Sequence, residues 1–209
     1  LDYLAVSFPL TAADIEHARR LLEATGCQAR IIAKIERAEV VHDERVLDAM
    51  ILASDGIMVA RGDLGVEVGD AALIGIQKQL IRKARRADRV VITATQMMES
   101  MVHSPIPTRA EVFDVANAVL DGTDAVMLSA ETAAGQYPVE TVEQMALIAH
   151  EAERAEDVEL DANFTDKHLG RIDQSIAMGA LFTAFHVGCK AIVALTESGS
   201  TALWMSRHN

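Results

Sequence analysis

Four short stretches carry side chains that could do chemistry together. Arg30–Ile35 is an apolar run that holds Lys34 and leads directly into Glu36. Gly56–Ala60 is followed at once by Arg61, Gly62 and Asp63. Val90–Ala94 leads into Thr95 and Gln96, and Tyr3–Phe8 finishes on Ser7 and Phe8. On a strand, residues two apart share a face, so the Lys34 ammonium and the Glu36 carboxylate point into one space. Glu36 and Asp63, at the ends of adjacent strands, would repel unless a cation lay between them. One or two carboxylates, completed by water and substrate oxygens, suit Mg²⁺ or Mn²⁺. The alternative open to spacing alone is a structural set of ion pairs with Lys34 and Arg61. A lysine beside such a site can neutralise a phosphoryl group in transfer. Imine chemistry would instead ask for a desolvated amine, and adjacent carboxylates keep this one charged.

Gly62 is expected to turn the backbone with its N–H exposed, and Asp63 to open a helix. N–H groups at a helix start hold anions, so this turn suits a substrate carboxylate. Arg61 is expected to brace the carboxylates from behind. The Thr95 hydroxyl can bond substrate or relay a proton through water. A separate loop, with Thr196, Ser198, Gly199, Ser200 and Thr201, follows an apolar run and opens a helical pattern. It reads equally as a phosphate cradle or an ordinary capping loop. The seven His have no metal spacing, which argues against zinc. Neither glycine-rich nucleotide fingerprint occurs.

Elements must deliver these groups to one place. Tyr3–Phe8, Arg30–Ile35, Gly56–Ala60, Val90–Ala94 and Ala125–Leu128 read as strands, apolar on both faces as a covered parallel sheet requires. Thr11–Thr25, Glu39–Ala53, Ala71–Ala87, Thr108–Leu120 and Val139–Arg154 read as helices. Met97, Met98 and Met101 read as helix core. Every strand ends in polar residues, including Ser129-Ala130-Glu131-Thr132 after the fifth. That pattern describes the mouth of a (β/α)₈ barrel, with five of its eight strands present. A doubly wound sheet would concentrate the polar groups at its switch point. The expected fold is therefore α/β: a partial TIM barrel in residues 1–150, a linker at 151–170, and the start of a second α/β domain at 171–209. In the last part Ile172–Val187 reads as a helix, Lys190–Leu195 as a strand and Thr201–His208 as a helix.

The net charge of −12 argues against nucleic acid or an anionic membrane as partner. Cys27 and Cys189 suit a reducing cytoplasm rather than a disulfide framework. No apolar run approaches the ~18 residues of a membrane span. The chain shows no leader at Leu1, and both ends read as cuts through something longer.

In combination, IIAKIERAE, IMVARGDLGVEV, VITATQMMESM, PTRAEVFDVANAVLDGTDAVMLSAET and AAGQYPVETV closely resemble pyruvate kinase, in order over about residues 1–155. LTESGSTALWMSRHN resembles the start of that family's carboxy-terminal domain, and the variant is similar to the bacterial type II enzymes. The resemblance implies reversible phosphoryl transfer from phosphoenolpyruvate to ADP, giving pyruvate and ATP through a metal-stabilised enolate. It implies Lys34 as the lysine on the transferring group, and Glu36 and Asp63 as ligands of Mg²⁺ or Mn²⁺. Gly62 and Asp63 would anchor the substrate carboxylate through their backbone. Thr95 would stand near the face where the enolate is protonated, with Ser7 and Phe8 lining the pocket. Potassium ligands and much of the nucleotide site are implied for the absent first strands, so the excerpt alone is expected not to turn over. Residues 196–201 resemble the family's effector loop for a phosphorylated allosteric ligand, and a homotetramer is implied for the full-length protein. Two rivals are a metal-dependent lyase or aldolase acting on enolpyruvate or oxo acids, and a non-catalytic fragment.

Overall fold

The structure, a computed structural model, describes residues 1–155 and 171–206. Two units divide the chain, Leu1–Ala155 and Glu156–Asn209. In the first, β1 (Tyr3–Val6), β2 (Arg30–Ile35), β3 (Gly56–Ala60), β4 (Val90–Ala94) and β5 (Ala125–Met127) form one sheet. All neighbours are parallel, and spatial order equals chain order. There is no reversal of strand order, so the sheet is a run of barrel staves rather than a doubly wound sheet. Between and after the strands lie α1 (Ala12–Ala24), α2 (Ala38–His42), α3 (Glu44–Ala53), α4 (Arg61–Val68), α5 (Asp70–Arg86), α6 (Arg109–Leu120), α7 (Ala130–Ala133) and α8 (Pro138–Ala155).

Strand alternation divides the apolar residues between two faces. Ile31, Ala33, Ile35, Ile57 and Val59 pack on Ile15 of α1, Leu47 and Met50 of α3, and Leu80 and Ile81 of α5. Each such side chain contributes roughly 1.5–3 kcal/mol on burial, so this helix-covered layer anchors the sheet. On the other face, Ile32, Met58 and Ala94 cluster with Ile92 and Met127. Position 34 shares the face of Ile32. Its side chain therefore leaves the sheet on the inner side of the barrel staves.

Several elements differ from expectation. The helix expected over Glu39–Ala53 is two helices, α2 and α3. Asp43 between them stays extended, and its carboxylate accepts from the Arg45 and Val46 N–H groups, capping α3. Helix α4 opens at Arg61, two residues ahead of Asp63. Met97, Met98 and Met101 are fully buried, packing with Val115, Ala118 and Ile148. They lie in bends and a 3-10 turn (Glu99–Val102), not in an α-helix.

In the second unit, the start of α9 (Ile172–His186) is joined to the later part of α10 (Ser200–Ser206). The Trp204 indole N–H donates to Asp173 Oδ2 at 3.1 Å, and Arg171 donates to both Asp173 oxygens at 2.9 and 2.8 Å. The Arg171 hydrogen bonds hold the Asp173 carboxyl down to about 2. Lys190–Leu195 is not a strand. Val193 is 92 % and Leu195 99 % exposed. An extended apolar run becomes a strand only when a neighbour fills its N–H and C=O groups, and no strand pairs with it among the described residues. Of the expected linker, residues 151–155 finish α8 and 156–170 lie outside the described residues. The expected last helix extends to His208, and its residues 207 and 208 lie outside them too.

Candidate active site

The site candidates of the first unit collect at the C-terminal ends of β1 to β4. Strand β1 stops at Val6, short of the expected Phe8, because Phe8 adopts a left-handed conformation (φ 53°). That turn aims the Phe8 N–H at Glu36 Oε2, 2.6 Å away. The Glu36 carboxylate thus ties the end of β1 to the end of β2. It is buried, with 1 % of the residue exposed. Its other oxygen, Oε1, lies 2.5 Å from the Lys34 ammonium. The approach is an ion pair out of hydrogen-bond alignment, and Oε1 has no hydrogen-bond partner. Lys34 also donates to Ser7 Oγ at 3.1 Å, with its ammonium 6.0 Å from the Phe8 ring centre. Ser7, Phe8, Lys34 and Glu36 therefore form one contiguous group.

Apart from that ion pair, Oε1 keeps a lone pair for a further positive partner. It suits a hard cation. Asp63 stands exposed in the first turn of α4, at the end of the neighbouring strand β3. The set of two hard oxygen donors fits Mg²⁺ or Mn²⁺ with waters or substrate filling the remaining positions. No group of three or more His, Cys, Asp or Glu side chains gathers among the described residues, so a cage built wholly from protein is not on offer there.

Two expectations for Arg61-Gly62-Asp63 need correction. The Gly62 N–H is not open to solvent: it donates to Thr95 Oγ1 at 2.7 Å. A ligand carboxylate would reach it only by displacing that hydroxyl. Arg61 does not brace Glu36 and Asp63. Its side chain runs the other way, with Nη1 on both oxygens of Asp114 (2.8 and 2.6 Å) and Nε and Nη2 on the Thr95 carbonyl (3.1 and 2.7 Å). The structural ion-pair alternative therefore fails for Arg61 and holds for the Lys34–Glu36 contact.

Thr95 follows β4 with φ 66°, and Gln96 continues at φ 53°. The Thr95 hydroxyl donates to the Ala94 carbonyl at 2.6 Å. Left-handed non-glycine residues at three strand-end positions mark backbone held against its own preference, commonly at about 1–3 kcal/mol each.

Sequence reasoning missed the contacts of four side chains that shape this rim, although it placed Glu131 among the polar residues after the fifth strand. Glu67 pairs with Arg37 at 3.0 Å and accepts from the Ala38 N–H at 2.6 Å, fastening α4 to the start of α2. Glu131, 2 % exposed, accepts from the Met98 and Ser129 N–H groups. Asp114 and Gln77 receive the Arg61 guanidinium. Their local signal was only a polar residue inside an otherwise apolar helical pattern.

The second-unit loop is separate. Thr196 Oγ1 accepts from the Gly199 N–H (3.0 Å), and Ser198 donates to Ser200 Oγ (3.0 Å). Ser198 Oγ also accepts from the Ser200 N–H at 3.4 Å, where the seven-residue α10 opens.

Parallel staves in sequential order, with charged and strained residues at their C-terminal ends, define the barrel class of enzyme domain. The chain matches the family models for the pyruvate kinase barrel domain over residues 1–142 and the pyruvate kinase alpha/beta domain over residues 174–209. It belongs to the pyruvate kinase family. It is 59 % identical over 208 residues to a protein of Salmonella typhimurium named pyruvate kinase II, covering 99 % of this chain and 43 % of that protein. A Haemophilus influenzae pyruvate kinase is 58 % identical, with 99 % and 44 % covered. A solved pyruvate kinase of Cryptosporidium parvum superposes with a TM-score of 0.89 at 40 % identity, over 100 % of this chain and 44 % of that one. The chain spans less than half the length of these relatives.

Proposed function

We propose that this chain supplies the metal–carboxylate half of a pyruvate kinase active site, in an enzyme that transfers phosphoryl between phosphoenolpyruvate and ADP. The observation that carries the reading is the buried Glu36 carboxylate, with Oε2 held by the Phe8 N–H and Oε1 unfilled beside Lys34. Glu36 and Asp63 would hold Mg²⁺ or Mn²⁺, which when bound supplies charge stabilisation for phosphoryl and enolate oxygens. Lys34 places a fixed positive charge where the phosphoryl group passes, oriented by Ser7 on one side and Glu36 on the other. The Gly62 and Asp63 N–H groups, at the opening of α4, receive the substrate carboxylate. In the free site the Thr95 hydroxyl occupies the Gly62 N–H. Arrival of a carboxylate would release that hydroxyl to face the enolate and relay a proton. Phe8 walls the pocket and excludes water.

In the same reading the full-length protein works in the cytoplasm as a homotetramer, takes potassium through residues outside this chain, and answers to a phosphorylated effector at residues 196–201. The domain limits 1–150, 151–170 and 171–209 belong to it as well. Among the described residues no helix is long and apolar enough to cross a membrane.

The test is ADP-dependent pyruvate formation by the full-length protein carrying this sequence, with and without Lys34→Met. Charge stabilisation of a transferring phosphoryl group is worth roughly 10³-fold or more in kcat, and a loss of that order is expected. Pyruvate formation without ADP consumption would point to the lyase or aldolase chemistry instead. Activity unchanged in Lys34→Met would remove the reading.

A further inference from the structure

The rim contains an arginine with no part in the chemistry proposed above, yet it is the most heavily bonded side chain there. Arg61 is 5 % exposed. Its guanidinium meets the Thr95 carbonyl twice, both Asp114 oxygens, Gln77 Oε1 at 3.5 Å and the Met97 sulfur at 2.8 Å. These partners come from the loop after β4, from α5 and from α6. The residue so gripped, Thr95, holds a backbone conformation that a β-branched side chain avoids. The local contact there is the bond from its hydroxyl to the Ala94 carbonyl, and Gln96 beyond it is left-handed too. The two guanidinium bonds to its carbonyl are the contacts that fix it. Asp114 in turn orients the guanidinium, because an Arg fork bonded on two sides has no rotational freedom left. The consequence is read at the hydroxyl: Oγ1 sits 2.7 Å from the Gly62 N and 2.6 Å from the Ala94 O.

We propose that Arg61, locked by Asp114, is a positioning residue that holds Thr95 in its left-handed turn, so that the hydroxyl faces the Gly62 N–H and the enolate beyond it. The proposal rests on the functional reading above. Arg61 touches neither substrate nor reacting atoms. It acts through Thr95, on the step in which the released hydroxyl delivers the proton.

The experiment uses the full-length protein and the variants Arg61→Gln, Arg61→Lys and Asp114→Asn. Deuterium exchange of the Gly62 amide reads the geometry without any turnover. It should be slow in the parent and at least about tenfold faster in Arg61→Gln. Kinetically, kcat should fall by about 10²-fold, the usual worth of a positioned proton donor. KM for phosphoenolpyruvate should not rise, because loosening Thr95 removes the hydroxyl that competes with the substrate carboxylate for the Gly62 N–H. Exchange of pyruvate methyl protons with D₂O should fall in parallel with kcat. Arg61→Lys should not rescue, since an ammonium cannot make both bonds to the carbonyl and still hold Asp114. Asp114→Asn keeps a neutral acceptor and should show the same pattern more weakly, which supplies the test if Arg61→Gln does not fold. A slow Gly62 amide in the variants, a KM effect with kcat kept, or full activity in Arg61→Lys would each overturn the proposal. A parent protein that makes no pyruvate from phosphoenolpyruvate and ADP would overturn the functional reading first, and the catalytic role of Arg61 with it. An active parent with unaltered Arg61 variants would sink the positioning role alone.

Discussion

The two rims of the five-stranded sheet use the same residue type in opposite ways. At the N-terminal rim, Asp55 stands one residue ahead of β3. Its N–H donates to the Ile31 carbonyl at 2.9 Å, and its carboxylate accepts from the Ile31 N–H at 2.8 Å. Asp124 repeats the device one residue ahead of β5, with the Val91 carbonyl at 2.9 Å and the Val91 N–H at 2.8 Å. Each aspartate finishes a ladder that the neighbouring strand begins too late to complete. At the C-terminal rim, Glu36 is more deeply buried and is left with an open oxygen. The backbone around it is turned left-handed at Phe8, Thr95 and Gln96. The N-terminal rim completes these ladder bonds and has one left-handed residue, Asp88, ahead of β4, while the C-terminal rim holds three and a buried carboxylate whose Oε1 has only the Lys34 ion pair. Such division matches the general separation of stability and chemistry between the ends of barrel strands. It also identifies which acidic residues are available to a ligand.

The comparison breaks first if Glu36 proves merely structural. Glu36→Gln keeps an acceptor for the Phe8 N–H and removes the charge. In the full-length protein, kcat should drop by roughly 10³-fold or more, with the melting midpoint little changed. A variant that lost stability and kept its rate would place Glu36 with the N-terminal aspartates. The converse test is Asp55→Ala, which leaves the Ile31 N–H without its side-chain acceptor and Arg19 without its 3.0 Å partner. A bond to a charged acceptor is worth about 1.5–3 kcal/mol, so denaturant unfolding should shift by that amount while kcat holds. A rate effect without a stability effect would contradict the division.

A smaller effect sharpens the picture beside the active rim. Glu111 is partly desolvated, which raises its carboxyl, but hydrogen bonds from Ser100 and Thr108 outweigh this and hold it below the ordinary 4.5. A carboxyl lowered in the folded state stabilises above its unfolded value and loses that contribution as pH falls through the folded one. The gap in melting midpoint between the parent and Glu111→Gln should therefore be widest near neutrality and close as pH falls below the ordinary 4.5. A gap independent of pH would mean that the Glu111 charge does nothing for the turn at Ser100.

Much of this was legible locally. The run Ile31–Ile35 needed only its own apolar pattern to read as a strand, and Lys34 and Glu36 needed only the period of two to share a face. The helix expected over Thr108–Leu120 begins one residue later, at Arg109, with Thr108 as its cap. Other elements were misread for want of a partner. Lys190–Leu195 has a strand's composition but no described neighbour to pair with, and Asp43 splits a helix whose apolar pattern runs straight through it.

By itself, the sequence determined the five strands of the first unit, which face their residues take and which rim carries the reactive groups, because alternation and apolar runs act over a few residues. Only the tertiary structure decided that Arg61 turns away from the carboxylates, that Thr95 is left-handed with its hydroxyl on Gly62, and that one Glu36 oxygen stays open. Arg61 finds its partners 34 and 53 residues along the chain, and Glu36 finds the Phe8 N–H 28 residues back. The direction of a long charged side chain follows the partners that the fold brings within reach, and no short window of residues contains them.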